Sequence, residues 1–253
     1  MLCNAKSNGL VLGASCAASA DRRSTALTWA VVGAFAVGMA WVEAACVFYL
    51  RSLVDRIEPY QALPLPDSAA LGSAELAREG ATLLMLATVG WLAGTTWRSR
   101  LAFATIAFGW WDIFYYVFLR LLTAWPGSIW DWDLLFLLPL PWWGPVLAPV
   151  LIALLMIVGG TLVVSRDTPD RPWWPSRWTL ALGLIGTGLA LYVFMADALR
   201  VAGQGIDALR KLLPATFHWP LFLTAWVFMA APVLELAMRL RKPADSGTCV
   251  VGS

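Results

Sequence analysis

The stretch that decides the reading is GWWDIFYYVFLRLLTAWPGSIWDWDLLFLLPLPWWGP, residues 109–145. Most of it is apolar enough for lipid, yet it holds Asp112, Asp131, Asp133, Arg120, Tyr115 and Tyr116, together with seven of the sixteen tryptophans of the chain. Lipid penalises such groups unless they line the interior of a bundle, sit at the headgroup level or find partners. The surrounding sequence sorts them into these cases.

Composition sets the class. Of 253 residues, 60% are hydrophobic and 13% charged, against about one quarter charged in an average soluble domain. Six apolar runs, 26–50, 76–96, 101–125, 146–164, 178–199 and 217–238, are each long enough to cross about 30 Å of hydrocarbon as helices. None alternates as a barrel strand would, so backbone groups must be satisfied within helices. The second run is the weakest: its fully apolar part, 80–96, is close to the minimum, so Glu75 and Glu79 are expected at the membrane boundary. The expected fold is an all-α polytopic membrane protein with six transmembrane helices. Within 109–145, the run 129–138 is too short to span, and Pro139 and Pro141 follow it. It is expected to be a short re-entrant or interfacial helix between the third and fourth spans.

Lys and Arg placement sets the orientation. Eleven of the 18 basic residues fall on the side that holds both termini and the loop WRSR (97–100), which has two arginines and no acid. That side is expected to be the cytoplasm of a bacterial cell, with the chain multi-pass in the inner membrane. Residues 1–25 then form a flexible cytoplasmic tail, 26–241 a single six-helix domain and 242–253 a second cytoplasmic tail. Ser68 or Ser73 is expected to cap the second helix. Residues 197–218 are expected to lie along the surface as an amphipathic turn or two. Small residues at Gly90, Gly94, Gly183, Gly186 and Gly188 are read as close helix contacts inside one bundle. Cys3, Cys16, Cys46 and Cys249 form no CxxC pair, and no disulfide framework is expected.

The tryptophans at 125, 130, 132, 142 and 143, and at 173, 174 and 178, suit headgroup anchoring, where an apolar ring and a polar edge are both satisfied. The buried ionisable residues call for another account. Asp112 falls near the middle of the third span and Glu43 in the outer half of the first. Each carboxylate costs about 2.5–3.5 kcal/mol at the centre of a bilayer even on the lenient insertion scale. Tyr115 and Tyr116 follow Asp112 at i+3 and i+4, and Arg120 follows Tyr116 by four. Arg78, Glu79 and His218 enter at the same outer level. The expected binding set is Glu43, Arg78, Glu79, Asp112, Tyr115, Tyr116, Arg120, Asp131, Asp133 and His218, opening outward beneath a tryptophan-rich lid. Glu235 is expected to pair with Arg239 at i+4.

Several chemistries are excluded. A single histidine rules out a bis-histidine haem and multi-histidine iron sites. No lysine lies in a span, so there is no retinal Schiff base. There is no P-loop, no intramembrane serine with a histidine partner and no second central aspartate. No cofactor or metal is expected, and no nucleic acid. The expected partners are the lipid bilayer, other membrane subunits and a small-molecule or lipid ligand. The expected role is that of a small permease or an integral subunit of a larger membrane complex, binding a small molecule, ion or amphiphile. One alternative is an intramembrane enzyme acting on a lipid or isoprenoid through carboxylic-acid general acid/base chemistry; another is a purely structural membrane protein in which the polar cluster is an ion-paired network that fixes helix register.

Overall fold

A computed structural model describes residues 5–53, 69–137, 139–205, 208–209 and 212–241, with side chains from residue 24 in the first range and from 73 in the second. The elements in chain order are α1 (Ala5–Leu53), α2 (Ala69–Ala93), α3 (Trp97–Thr123), β1 (Trp132–Phe136), β2 (Trp142–Pro145), α4 (Leu147–Val164), α5 (Arg177–Val201) with a 3-10 turn at Ala202–Gln204, and α6 (Trp219–Arg241). The all-α architecture holds for the bundle. Five helical stretches are long and apolar enough to cross a membrane: Ser24–Leu53, Trp97–Thr123, Leu147–Val164, Arg177–Gln204 and Trp219–Arg241. Helix α2, with Arg78 and Glu79 inside it, is not among them. The backbone of α1 is helical from Ala5, well before its apolar part begins.

Between α3 and α4 the expected re-entrant helix is replaced by a two-stranded antiparallel hairpin. Trp132 pairs with Pro145, Asp133 with Gly144, Leu134 with Trp143 and Phe136 with Trp142, with a bulge between Leu134 and Phe136. The physical reason lies in the prolines. Pro139 and Pro141 lack the N–H that a continuing helix needs and favour an extended turn, while Pro145 ends a strand where no ladder donor is required. The hairpin is extended by Val146 N–H to the Asp131 carbonyl at 3.0 Å and Leu147 N–H to the Ile129 carbonyl at 2.9 Å.

Local chemistry sets the helix ends. Thr96 caps α3 by accepting from Ser99 N–H at 3.0 Å, and the Ser99 hydroxyl returns the bond to Thr96 N–H, a reciprocal capping box. At the other end Ala124 takes the left-handed conformation, φ 60°, and its N–H bonds the Arg120 carbonyl. Ser176 caps α5. Ser73 lies inside α2 rather than at its cap, and Ser68 is outside the described residues, as are parts of the segment expected to be amphipathic.

Three buried clusters fill the bundle, the smallest around Ala44, Leu119, Trp125 and Val146; the other two are larger. One joins α1, α2 and α3 with the ends of α4 and α6 around Val32, Ala36, Met39, Leu86, Phe103, Ile106 and Val163. The other joins α4, α5 and α6 around Phe194 and Phe222. Glycines permit the closest approaches. A Cβ on Gly90 would lie 2.6 Å from Ala104 Cα, and one on Gly186 2.5 Å from the Ala225 carbonyl oxygen. Both sites serve packing within the bundle, whereas a Cβ on Gly188 would meet nothing within 4 Å.

Candidate functional site

The polar residues gather where the hairpin lies against α1, α2 and α3. Glu43 on α1 is buried and ion-paired with Arg78 of α2. It also accepts from the Thr82 hydroxyl at 3.1 Å, one turn further along α2. Arg78 pairs on its other side with Glu75. Glu79, also buried, accepts the Leu137 backbone N–H with both carboxylate oxygens at 3.1 Å, pinning the chain just after β1 to α2.

Asp133, 1% exposed, is the innermost charge of the hairpin. Arg51 at the end of α1 reaches it at 3.3 Å, and the same guanidinium lies 4.5 Å above the Trp125 ring. The spacing of Glu43 and Arg51, eight residues, puts both on one face of α1. Tyr116 faces Asp133 from α3. Burial pushes the Asp133 carboxyl up to about 6, against the pull of Arg51, the Tyr116 phenol and the Leu134 N–H.

Asp112 is 7% exposed, its Oδ2 is shut off from solvent without a hydrogen-bond partner, and the nearby charge it feels is that of Asp133. The rings of Trp111 and Tyr115 stack at 6.2 Å, and Tyr115 meets Tyr116 edge-on at 5.2 Å. Phe136 of the hairpin closes on Trp111 and Phe108 at 6.3 and 6.4 Å. The indole N–H of Trp111 is likewise buried and unbonded.

Seven of the ten expected site residues therefore meet: Glu43, Arg78, Glu79, Asp112, Tyr115, Tyr116 and Asp133. Three lie elsewhere. Arg120 turns back to the Ala124 and Pro126 carbonyls and closes the end of α3. Asp131 accepts from Gly127 N–H at 2.7 Å and Ser128 N–H at 3.1 Å, holding the turn before β1. His218 is exposed beside Arg200 at 3.4 Å, next to an Arg200–Asp197 pair on α5. Each departs for the same reason: a local backbone carbonyl, amide or neighbouring charge satisfies it more cheaply than a long reach into the bundle. Arg51, Glu75, Thr82 and Trp125 belong to the network without having been expected there. Arg51 was visible as the residue two turns beyond Glu43 on its face of α1.

Among the described residues no group of three or more His, Cys, Asp or Glu side chains is arranged to hold a metal ion. Compared with family models, curated proteins and solved structures, the chain matches none. The chemistry must be read from the network itself. Among the described residues its members are the carboxyls of Glu43, Glu75, Glu79, Asp112 and Asp133 and the guanidiniums of Arg51 and Arg78. Such an arrangement can hold a proton or a positively charged group, because a buried carboxylate oxygen without a partner, as at Asp112, is costly.

Proposed function

We propose that this chain is a six-span protein of the bacterial inner membrane, α2 being the sixth span, with both termini in the cytoplasm and the hairpin on the outer face. The network under the hairpin is its binding site, and the protein acts as a small permease or an integral subunit of a larger membrane complex. The observation that carries the reading is the Asp112 oxygen left without a bond inside a buried cluster that four separate elements build. A scaffold built only to fix helix register would gain nothing from an Asp112 oxygen with no partner, since an unmet buried acceptor costs about 1–3 kcal/mol. Functional sites retain such groups. The hairpin, held by Glu79 and Arg51, is placed to act as the cover.

Native mass spectrometry of the full chain extracted in mild detergent tests this. The expected result is a small molecule, lipid or membrane subunit retained by the unmodified protein and lost from Asp112→Asn and from Arg78→Met. Bare chains of matching composition in all three samples would defeat the binding reading. The aromatic faces of Trp111 and Tyr115 around Asp112 give the enzyme alternative its one support, since they could steady a developing positive charge. Lipid extracts of cells with and without the chain separate the two: an altered prenyl or glycerolipid species favours the enzyme.

A further inference from the structure

We infer that Asp112 and Asp133 form a proton-binding site that communicates with the hairpin end of the bundle and is sealed from the opposite end. The inference rests on the reading of the network as a binding site and adds a proton to what that site holds beside its larger ligand.

The acids of the network are not equivalent. Glu43 has Arg78 and Thr82, Glu75 has Arg78, and Glu79 has the Leu137 amide. Asp133 has Arg51 and faces Tyr116. Among the described acids Asp112 alone has a carboxylate oxygen, Oδ2, that is buried without a bond, and Asp133 is a like charge near enough to act on it. Arg51 reaches the Asp133 member of this pair. Two neighbouring carboxylates in a low-dielectric site cannot both stay ionised, and a proton is the smallest species that relieves them. Among the described residues no three His, Cys, Asp or Glu side chains are grouped here to hold a metal ion. The charged and titratable groups around the pair are Arg51 from α1, Tyr115 and Tyr116 from α3, and, next to Tyr115, Arg78 and Glu75 from α2.

Sidedness follows from what lies above and below. Toward the hairpin, each step from Asp112 meets a polar group: Tyr116, Asp133, then Arg51, whose side chain is 13% exposed. Away from it the three helices turn apolar at once. Glu43 is followed down α1 by Ala40, Met39, Ala36 and Val32, Thr82 down α2 by Leu86, and Asp112 down α3 by Ala107, Ile106 and Phe103, all buried in one core. A proton on Asp112 has hydrogen-bonding groups on one side and hydrocarbon on the other.

Infrared spectroscopy of the full chain in oriented vesicles tests this. The expected signature is the C=O band of a protonated carboxyl that disappears in Asp112→Asn and moves in frequency in Asp112→Glu, the latter guarding against a merely misfolded Asn variant. The band should titrate when pH is stepped on the hairpin side and stay unchanged when it is stepped on the other. Asp133→Asn, by removing the like charge, should move its midpoint down by at least one pH unit, a tenfold rise in the proton concentration needed. A band indifferent to Asp112 substitution, or one that follows the opposite side, overturns the inference. So does loss of the band at constant pH on adding sodium or ethylammonium chloride, which would make the occupant an alkali ion or an amine. Labelling of Ser128→Cys by an impermeant maleimide reports separately which membrane face the hairpin occupies. An outer-face label with a failed infrared result sinks this inference alone, and an inner-face label sinks the outward-site reading alone.

Discussion

The two ends of the bundle handle buried acids in opposite ways. At the end remote from the hairpin, Asp167, its side chain fully buried, accepts from the Thr96 hydroxyl at 2.5 Å, Arg98 Nε at 2.6 Å and Trp173 N–H at 2.9 Å. Glu235 accepts from Ser176 N–H at 2.9 Å and from Thr179, and pairs with Arg239 as its i+4 spacing suggests. Two acids meet two arginines there, and each acid is also bonded by backbone. The result is a pair of clamps that tie the loop between α4 and α5 to α3 and α6. At the hairpin end the described residues include five carboxyls and two arginines, and the Asp112 Oδ2 is buried without a bond. A network that only held helices together would resemble the first. The second leaves the Asp112 oxygen without a bond, the feature on which the proposed binding role rests.

The comparison can be broken most directly at Asp167. Asp167→Ala strands a largely buried Arg98 and the Trp173 amide, so stability should fall by about 3–5 kcal/mol, the range for removing one partner of a buried pair, read as thermal unfolding in detergent. A fall as large in Asp112→Asn would erase the distinction, because that side chain is expected to cost under about 1 kcal/mol, having no bond at Oδ2 to lose. Arg78→Met should come next, at about 3 kcal/mol, since it strips Glu43 and Glu75 together. Adding Glu43→Gln should recover part of that loss, and strict additivity of the two changes would show that the pair is not coupled.

A smaller effect is expected at Glu79→Gln, about 1 kcal/mol. Its sharper readout is faster hydrogen exchange at the Leu137 amide, with amides of α5 unchanged as the control. The smallest is a pH slope. The folded pKa of Asp133, about 6, lies above its unfolded value of about 3.9. The folded state thus keeps a proton that the unfolded state has released. That contribution is full below about pH 4 and is lost as pH rises through about 6. The melting temperature of Asp133→Asn, compared with the parent, should therefore improve steadily from pH 4 to pH 7. A difference that runs the other way would mean that Arg51 outweighs burial at this carboxyl.

Much of this was legible in the residues, for identifiable reasons. Length and hydropathy mark six spans, of which five are helices long and apolar enough to cross a membrane, because nothing but a helix satisfies a backbone in lipid. The convergence of Glu43, Asp112 and Tyr116 follows from helical spacing plus the cost of leaving acids in hydrocarbon. The hairpin was misread because a ten-residue apolar run does not itself distinguish strand from helix. The signal was nonetheless there: aromatic-rich runs flanking Pro139–Leu140–Pro141 suit a strand pair with a turn. Arg120, Asp131 and His218 were misplaced because spacing along a helix says which face a side chain leaves from, not which nearby carbonyl or amide captures it.

The hairpin also has a temporal meaning. Its charged edge docks on α1, α2 and α3 through Asp133 and Leu137, whereas its aromatic edge needs later partners: Trp142 stacks on Phe194 of α5, Trp132 meets Phe217, and Trp130 meets Trp219 of α6. A ribosome delivers the first set before the second exists. The ionic latch can thus close while the nascent chain is still emerging, and the tryptophan seam zips shut only after the carboxy-terminal helices arrive, which makes the hairpin the joint between an early-assembled half and a late one.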